Sequence, residues 1–156
     1  MSDYATAYEL FEAARDAAQQ NDSMRRRIER MELAEQRSSQ GEPISRGSIA
    51  DRMARVDARL DMEGEFAQAM AENWELVDYA SEVLYGEGGR AGLASALGIQ
   101  YADAIWWRYL ANCKWDDVAE ACKVTARTCQ TRVQVGMDFI DANGIEATRD
   151  GDNQLA

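Results

Sequence analysis

The chain contains no histidine, a single proline and only three cysteines. The absence of histidine removes the most common metal ligand and general acid–base side chain. The cysteines Cys113, Cys122 and Cys129 are spaced by nine and seven residues, which matches no zinc signature. We therefore expect small reduced core residues in a cytoplasmic protein that has no cofactor, no metal and no enzymatic activity.

Long apolar runs and alternating strand patterns are also missing. No apolar stretch approaches the roughly 20 residues of a membrane-spanning helix, and the first residues, MSDYATAYELFEAARD, are too polar and acidic for a signal peptide. We expect no membrane partner. The scarcity of proline and the long runs of Ala, Glu, Arg and Met predict an all-α fold.

The N-terminal part is predicted to be helical and elongated. Residues 4 to about 38 form one predicted helix, although Ser23 can cap a restart, so that two helices with a break there are the alternative. Residues 38–48, SSQGEPISRGS, interrupt the helical period with Gly, Pro and Ser, and they predict a loop.

The following segment, residues 49–84, carries a coiled-coil repeat in which the spacing alternates between four and three residues. Its positions are Ile49, Met53, Val56, Leu60, Glu63, Ala67, Met70, Trp74, Val77, Ser81 and Leu84. A helix of this length spans about 54 Å and needs a partner. We expect it to pack on the first helix, as an antiparallel hairpin, or on a second copy, as a homodimer. Residues 1–85 are therefore predicted to form a helical hairpin or coiled-coil arm.

Three further regions are predicted after the arm. Residues 86–101 form a glycine-rich joint and a short helix, and their glycines lack the pattern of a phosphate loop. Residues 102–145 form a trihelical helix-turn-helix domain, as argued next. Residues 146–156 lose periodicity and predict a disordered tail.

The segment from Trp106 to Ile140 predicts two short helices joined by a tight turn at residues 123–125. Its apolar positions fall three or four apart within each helix. Thr125 can cap the second helix, which then presents a dense polar face that includes arginine. DNA-binding helix-turn-helix units have this arrangement.

The side chains of the second helix are the candidates for contact with double-stranded DNA. Arg127, Gln130 and Thr131 are the best base-edge readers, because Arg and Gln form bidentate hydrogen bonds to guanine and adenine. Arg132 and Thr128 reach bases or phosphates, and lysines at either end of the supporting helix can position the backbone. The predicted DNA-binding set is Lys114, Lys123, Thr125, Arg127, Thr128, Gln130, Thr131, Arg132 and Gln134.

The charge distribution singles out the same segment. The chain carries a net charge of −11, and residues 1–103 hold 11 basic and 20 acidic side chains, a balance of −9. Residues 104–135 hold five basic and three acidic side chains, a balance of +2. We therefore expect modest DNA affinity from a monomer, with help from dimerisation or from another protein.

The motif resembles a known class of regulators. Arg108-Tyr109-Leu110, Trp115, Val118-Ala119 and the segment Thr125-Ala126-Arg127-Thr128-Cys129 occupy the characteristic places. The pattern is similar to the C-terminal helix-turn-helix (region 4) of sigma-70-type factors, and closer still to phage-encoded regulators such as the ArpU and RinA families. The resemblance implies a transcription regulator of a prophage or mobile element, with RNA polymerase as an additional partner.

Two other functions are compatible with the sequence. One is a phage packaging component similar in layout to a small terminase subunit, which would assemble as a ring. The other is an interaction module whose acidic coiled coil binds a basic partner, with the helix-turn-helix serving only as a fold. Solution mass distinguishes the first alternative, and failure to bind DNA at low salt favours the second.

Overall fold

The computed structural model describes residues 3–40 and 46–152, with side chains described for residues 3–37 and 49–152. This part of the chain contains seven α-helices and no strand, which confirms the all-α fold class. The helices are α1 (Ala7–Gln40), α2 (Arg46–Tyr85), α3 (Gly92–Ala96), α4 (Ile99–Ile105), α5 (Trp115–Cys122), α6 (Ala126–Asn143) and α7 (Ile145–Asp150). A 3₁₀ turn spans Glu87–Gly89, and a π-helical turn, Trp106–Leu110, continues α4.

The two long helices differ from the expected layout in their ends. Helix α1 runs through Ser23 without a break, because the apolar stripe resumes at Met24 and Ile28 in the same helical period. The predicted loop at 38–48 is shorter than expected, since the helices reach Gln40 and restart at Arg46. Residues 41–45 of that loop lie outside the described residues.

The chain divides into two compact units, and their boundary differs from the predicted arm of residues 1–85. One unit contains the residues up to Ala18 together with those from Trp74 onward, and the other contains Gln19–Asn73. The difference arises because the first turns of α1 and the last turns of α2 contribute side chains to the same buried cluster as α4 and α6. We call the first the head unit and the second the hairpin unit.

The core of the head unit draws side chains from almost every element of that unit. Phe11 of α1 is fully buried, and its ring centroid lies 6.2 Å from that of Tyr109 in the π-helical turn. The other large, fully buried apolar side chains of the cluster are Leu10, Val83, Leu84, Leu93, Ile105, Met137 and Ile140. Helices α5 and α6 bury little apolar surface by themselves, so the ends of α1 and α2 supply the missing layer.

The glycine-rich joint forms a closely packed corner. Gly92 has a φ of +77°, and a Cβ placed there would lie 2.5 Å from the backbone nitrogen of Gly86. Only glycine combines this backbone conformation with such a close approach. The corner directs the chain from α2 into α3 and α4, whose Leu93 and Ile105 then reach the core.

The end of the chain is more ordered than the predicted tail of residues 146–156. Residues Ile145–Asp150 form α7, in which Ile145 and Thr148 are buried. Thr148 donates a 2.7 Å hydrogen bond to the carbonyl oxygen of Gly144, and Asn143 donates to its hydroxyl at 3.3 Å. These buried contacts fix the helix where the sequence shows no apolar periodicity. Residues 153–156 of the predicted tail lie outside the described residues.

In the hairpin unit α1 and α2 pack antiparallel. Arg59 of α2 binds Glu35 of α1 at 2.7 Å, whereas Asn73 binds Asn21 at 2.9 Å, so the contacts run in opposite directions along the two helices. The predicted heptad seam is only partly the packing seam. Its members Val56 and Met70 are half-buried, but Met53 and Leu60 remain 64% and 50% exposed.

Across the described ranges, none of the helices is both long enough and apolar enough to traverse a lipid bilayer.

Candidate nucleic-acid interface

The turn between α5 and α6 is built from three residues with distinct roles. Lys123 ends α5 in the left-handed conformation, with φ 57° and ψ 38°. The backbone nitrogen of Val124 then donates to the carbonyl oxygen of Ala119 at 3.1 Å. Thr125 caps α6, since its Oγ1 accepts a 3.2 Å hydrogen bond from the backbone nitrogen of Thr128. The local sequence therefore fixes the angle at which α6 leaves the turn.

Helix α6 is anchored on its inner side and open on its outer side. Cys129, Val133 and Met137 are buried, and Val118 of α5 is buried as well. The opposite side presents the exposed residues Arg127, Gln130, Thr131 and Gln134. These four positions follow the i, i+3, i+4, i+7 spacing of one helical face. The structure thus places four of the predicted DNA-binding residues on a single exposed surface, which we call the α6 face.

Three of the predicted residues have polar groups already engaged near the start of α6. The hydroxyls of Thr125 and Thr128 lie 2.9 Å apart, and Thr125 also serves as the cap. The hydroxyl of Thr131 donates to the carbonyl oxygen of Arg127 at 3.1 Å. A threonine hydroxyl keeps acceptor capacity after donating, so Thr131 can still accept a hydrogen bond from a base amino group. Thr125 has primarily a structural role.

Two further predicted residues are less available. The side chain of Gln134 accepts a 3.0 Å hydrogen bond from Tyr8 and donates at 2.9 Å to Asp138. Arg132 is half-buried. Burial raises the pKa of the Cys122 thiol in α5, and the nearby positive charge of Arg132 offsets part of that rise. The side chains that remain open for base contact are therefore Arg127, Gln130 and Thr131.

The supporting helix α5 carries charges of both signs. Lys114 and Lys123 are exposed at its two ends, where they can approach phosphates. Between them, Asp116, Asp117 and Glu120 are also exposed. The two aspartates stabilise the first turn of α5 through the helix dipole, but all three carboxylates oppose phosphate binding. The cationic part of the surface is thus small, and it centres on the turn and the first turn of α6.

Arg108 has a supporting function that the sequence did not reveal. Its guanidinium lies 4.4 Å from the ring centroid of Trp115, and Nη1 donates a 3.1 Å hydrogen bond to the carbonyl oxygen of Cys113. Arg108 therefore connects the π-helical turn to the first residue of α5. Cation–π contacts of this kind stabilise by about 0.5–2 kcal/mol. The positive charge of Arg108 therefore serves contacts with Trp115 and Cys113 within the head unit.

An acidic cluster beside the second half of α6 was also missed. Asp138 and Asp141 of α6 and Glu12 of α1 lie near the Tyr8 hydroxyl; its pKa is raised mainly by burial and further by these three carboxylates. Asp141 also accepts a 2.7 Å hydrogen bond from the backbone nitrogen of Ala7 at the start of α1. The sequence signal was the change from Arg and Thr before residue 133 to Asp after residue 137. The cluster confines a phosphate-binding surface to the first turns of α6.

The three cysteines are unpaired thiols inside or at the edge of the domain. Cys129 is buried, whereas Cys113 and Cys122 are partly exposed. In the part of the chain with described positions, no group of three or more His, Cys, Asp or Glu side chains is arranged to hold a metal ion.

Comparison of the chain with protein-family models, with curated proteins and with solved structures found no match.

Proposed function

We propose that this protein binds double-stranded DNA in a sequence-specific manner and regulates transcription, with the first turns of α6 entering the major groove. One observation carries the proposal. Arg127, Gln130 and Thr131 stand exposed on one face of a helix that begins at a capped helix-turn-helix turn. Recognition helices of this motif contact base edges with their N-terminal residues.

The chemistry of the three side chains suits base reading. Arginine donates two parallel hydrogen bonds to O6 and N7 of guanine, and glutamine exchanges two with N6 and N7 of adenine. Thr131 offers its methyl group to the methyl group of thymine, and its hydroxyl can form a hydrogen bond with a base edge. Lys114 and Lys123, at the two ends of α5, contact phosphates and set the register without reading sequence.

The regulatory part of the proposal depends on the motif in the sequence. The order Arg108-Tyr109-Leu110, Trp115, Val118-Ala119 and Thr125–Cys129 resembles sigma-70 region 4 and phage regulators of that class. The fold gives these residues distinct positions, with Tyr109 and Val118 buried and Arg108 against Trp115. The resemblance supports a transcription regulator of phage or mobile-element type.

The electrostatics favour weak nonspecific binding. The α6 face and the two ends of α5 carry few positive charges, while the whole chain carries a net charge of −11. Nonspecific DNA affinity comes almost entirely from phosphate contacts, so it should be low and should fall with salt. Specificity must then arise from base contacts and not from a broad basic surface.

A salt titration tests whether DNA binding occurs at the proposed surface. The affinity for a mixed-sequence duplex is measured by fluorescence anisotropy from low to moderate salt, for the natural chain, Arg127→Ala and Lys123→Gln. The logarithm of affinity should fall linearly with the logarithm of salt. Lys123→Gln should reduce the slope by about one because its cation meets a phosphate, whereas Arg127→Ala, which removes a base contact, should weaken binding with a smaller change in slope. Arg30→Gln, an exposed site in the hairpin unit, is the control that removes one positive charge elsewhere.

The outcomes separate the candidate functions. Binding that weakens in both variants but not in the control supports the proposal. Binding that is unaffected by either variant moves the interface away from α6. An absence of binding at the lowest salt contradicts the proposal and favours an interaction module whose helix-turn-helix serves only as a fold.

A further inference from the structure

Helix α2 presents two different faces within the hairpin unit. The inner face packs on α1 through half-buried residues that include Val56, Arg59, Phe66 and Met70. Arg59 is central to it, with Nε 2.7 Å from Glu35 and Nη1 2.9 Å from Glu63. This face follows a seven-residue repeat in which Arg59, Phe66 and Asn73 occupy the row that α1 covers.

The adjacent face of α2 remains open although it is apolar. Ile49, Met53 and Leu60 are 46%, 64% and 50% exposed, and Ala67, one heptad further, is also exposed. Met53, Leu60 and Ala67 recur every seven residues and lie about 100° around the helix from the inner row. We call this set of four residues the outer row. Exposed large apolar side chains arranged in a regular row are characteristic of an interaction surface.

We propose that the outer row is the contact between two copies of this chain, packed as parallel helices in register. A second copy has the one surface guaranteed to carry the same heptad repeat, so that Met53 meets Met53 and Leu60 meets Leu60. Such self-matching rows form the seam of two-stranded coiled coils. Arg59 of the same chain, with Nη1 2.9 Å from Glu63, offsets part of the negative charge that Glu63 brings to this seam.

The charges beside the outer row select the parallel orientation. Arg52, half-buried and seven residues before Arg59, lies at the border between the inner row and the outer row, immediately before Met53. Asp57, which is exposed, flanks the outer row on its other side, immediately after Val56. In a parallel pair, a residue on the Arg52 side of one helix lies beside a residue on the Asp57 side of the other helix, and the second residue is five positions later in the sequence. Arg52 of each copy therefore faces Asp57 of the other, and symmetry forms this ion pair twice. An antiparallel pair would bring like flanks together.

The dimer extends the proposed function without depending on it. If the α6 face also reads DNA, two copies related by a twofold axis require two half-sites, so the preferred DNA sequence should be palindromic. The assembly itself can be measured without DNA, and its failure is distinguishable from a failure of DNA binding.

Sedimentation equilibrium of the full chain across a range of concentrations tests the dimer. The natural chain should show twice the mass of one chain, and Leu60→Lys should shift it to a single-chain mass. Ala58→Lys, which introduces the same charge on the opposite side of α2, should remain dimeric, and circular dichroism should show equal helicity in all three. A natural chain that stays monomeric, that forms a larger ring, or that dimerises unchanged in Leu60→Lys overturns the proposal.

A charge-reversal cycle tests the orientation by rescue. Arg52→Asp should weaken the dimer, because it places two acids at each flank contact, and the double variant Arg52→Asp, Asp57→Arg should restore it. A defect confined to folding within one chain would not be rescued, since residues five apart on one helix do not face each other. Absence of rescue overturns the parallel arrangement.

Discussion

The Tyr8 hydroxyl of α1 donates a 3.0 Å hydrogen bond to Oε1 of Gln134 in α6. Nε2 of the same glutamine donates to Asp138 at 2.9 Å, so both ends of its amide are occupied within the protein. The first helix of the chain thus engages the side-chain amide of one of the predicted DNA-contacting residues, although that residue stays exposed. It also divides α6 into a first part suited to DNA and a second part occupied by internal contacts and acids.

The two glutamines of the α6 face provide a matched pair for this division. Gln130→Ala should lower the affinity for a preferred DNA sequence by about 1–3 kcal/mol, because a bidentate contact to adenine is lost. Gln134→Ala should leave DNA affinity nearly unchanged and instead remove the partner of Tyr8. Fluorescence anisotropy with one duplex measures both variants. Equal losses would show that Gln134 releases Tyr8 and reads DNA as well.

Lys123 combines a strained backbone with a candidate phosphate contact. A non-glycine residue in the left-handed conformation costs about 1–2 kcal/mol, and replacing it with glycine removes that cost. The greater conformational freedom of glycine in the unfolded chain offsets part of the stability gained. Lys123→Gly should therefore raise the free energy of unfolding by about 0.5–1 kcal/mol while weakening DNA binding. Lys123→Gln should weaken DNA binding similarly with little change in stability. Thermal unfolding and a DNA titration on the same samples separate the two roles, and stronger DNA binding by either variant would exclude a phosphate contact.

The acids at the second half of α6 should limit the affinity for DNA. Asp138→Asn removes a charge but keeps an oxygen that can accept from Gln134. At a separation on the order of 10 Å in water, one unit charge is worth about 0.4 kcal/mol, or roughly a twofold gain in affinity at low salt. Screening should remove most of this gain as salt rises. If Glu65→Gln in the hairpin unit gives the same gain, the effect reflects net charge and not the position of Asp138.

The glycine-rich corner should be essential to the stability of the head unit. Gly92→Ala combines positive φ with a backbone clash, and we expect it to cost about 2–4 kcal/mol. Gly88 also has positive φ, but a Cβ there meets no atom within 4 Å, so Gly88→Ala should cost only about 1 kcal/mol. Urea unfolding followed by tryptophan fluorescence compares them. Equal costs would mean that the corner relaxes to accept the added methyl group.

Local signals in the sequence predicted the helices and the turn well. The three- and four-residue spacing of apolar residues predicted α5 and α6, and Thr125 was recognised as the cap from its type and place. Asn112, whose φ is 56°, could also have been recognised as the break after the π-helical turn, since asparagine tolerates the left-handed conformation. Each of these features depends on neighbours close in sequence.

Long-range contacts were not predictable in the same way. Nothing local indicates that Phe11 packs near Tyr109, or that Tyr8 binds a glutamine 126 residues later. The heptad repeat of α2 was visible, but the repeat alone does not say which row faces α1. Arg59 forms ion pairs with Glu35 and Glu63, so the row that packs on α1 is partly polar. Met53 and Leu60 remain exposed on the adjacent row.

We propose above that Arg127 and its neighbours on α6 read a DNA sequence. The most direct measurement is selection from a random duplex pool, followed by sequencing of the bound fraction, for the natural chain and Arg127→Ala. We expect a consensus for the natural chain and loss of the preference for guanine at one position per half-site in the variant. A natural chain that yields no consensus, or a variant that recovers the same consensus with the same strength, would contradict it.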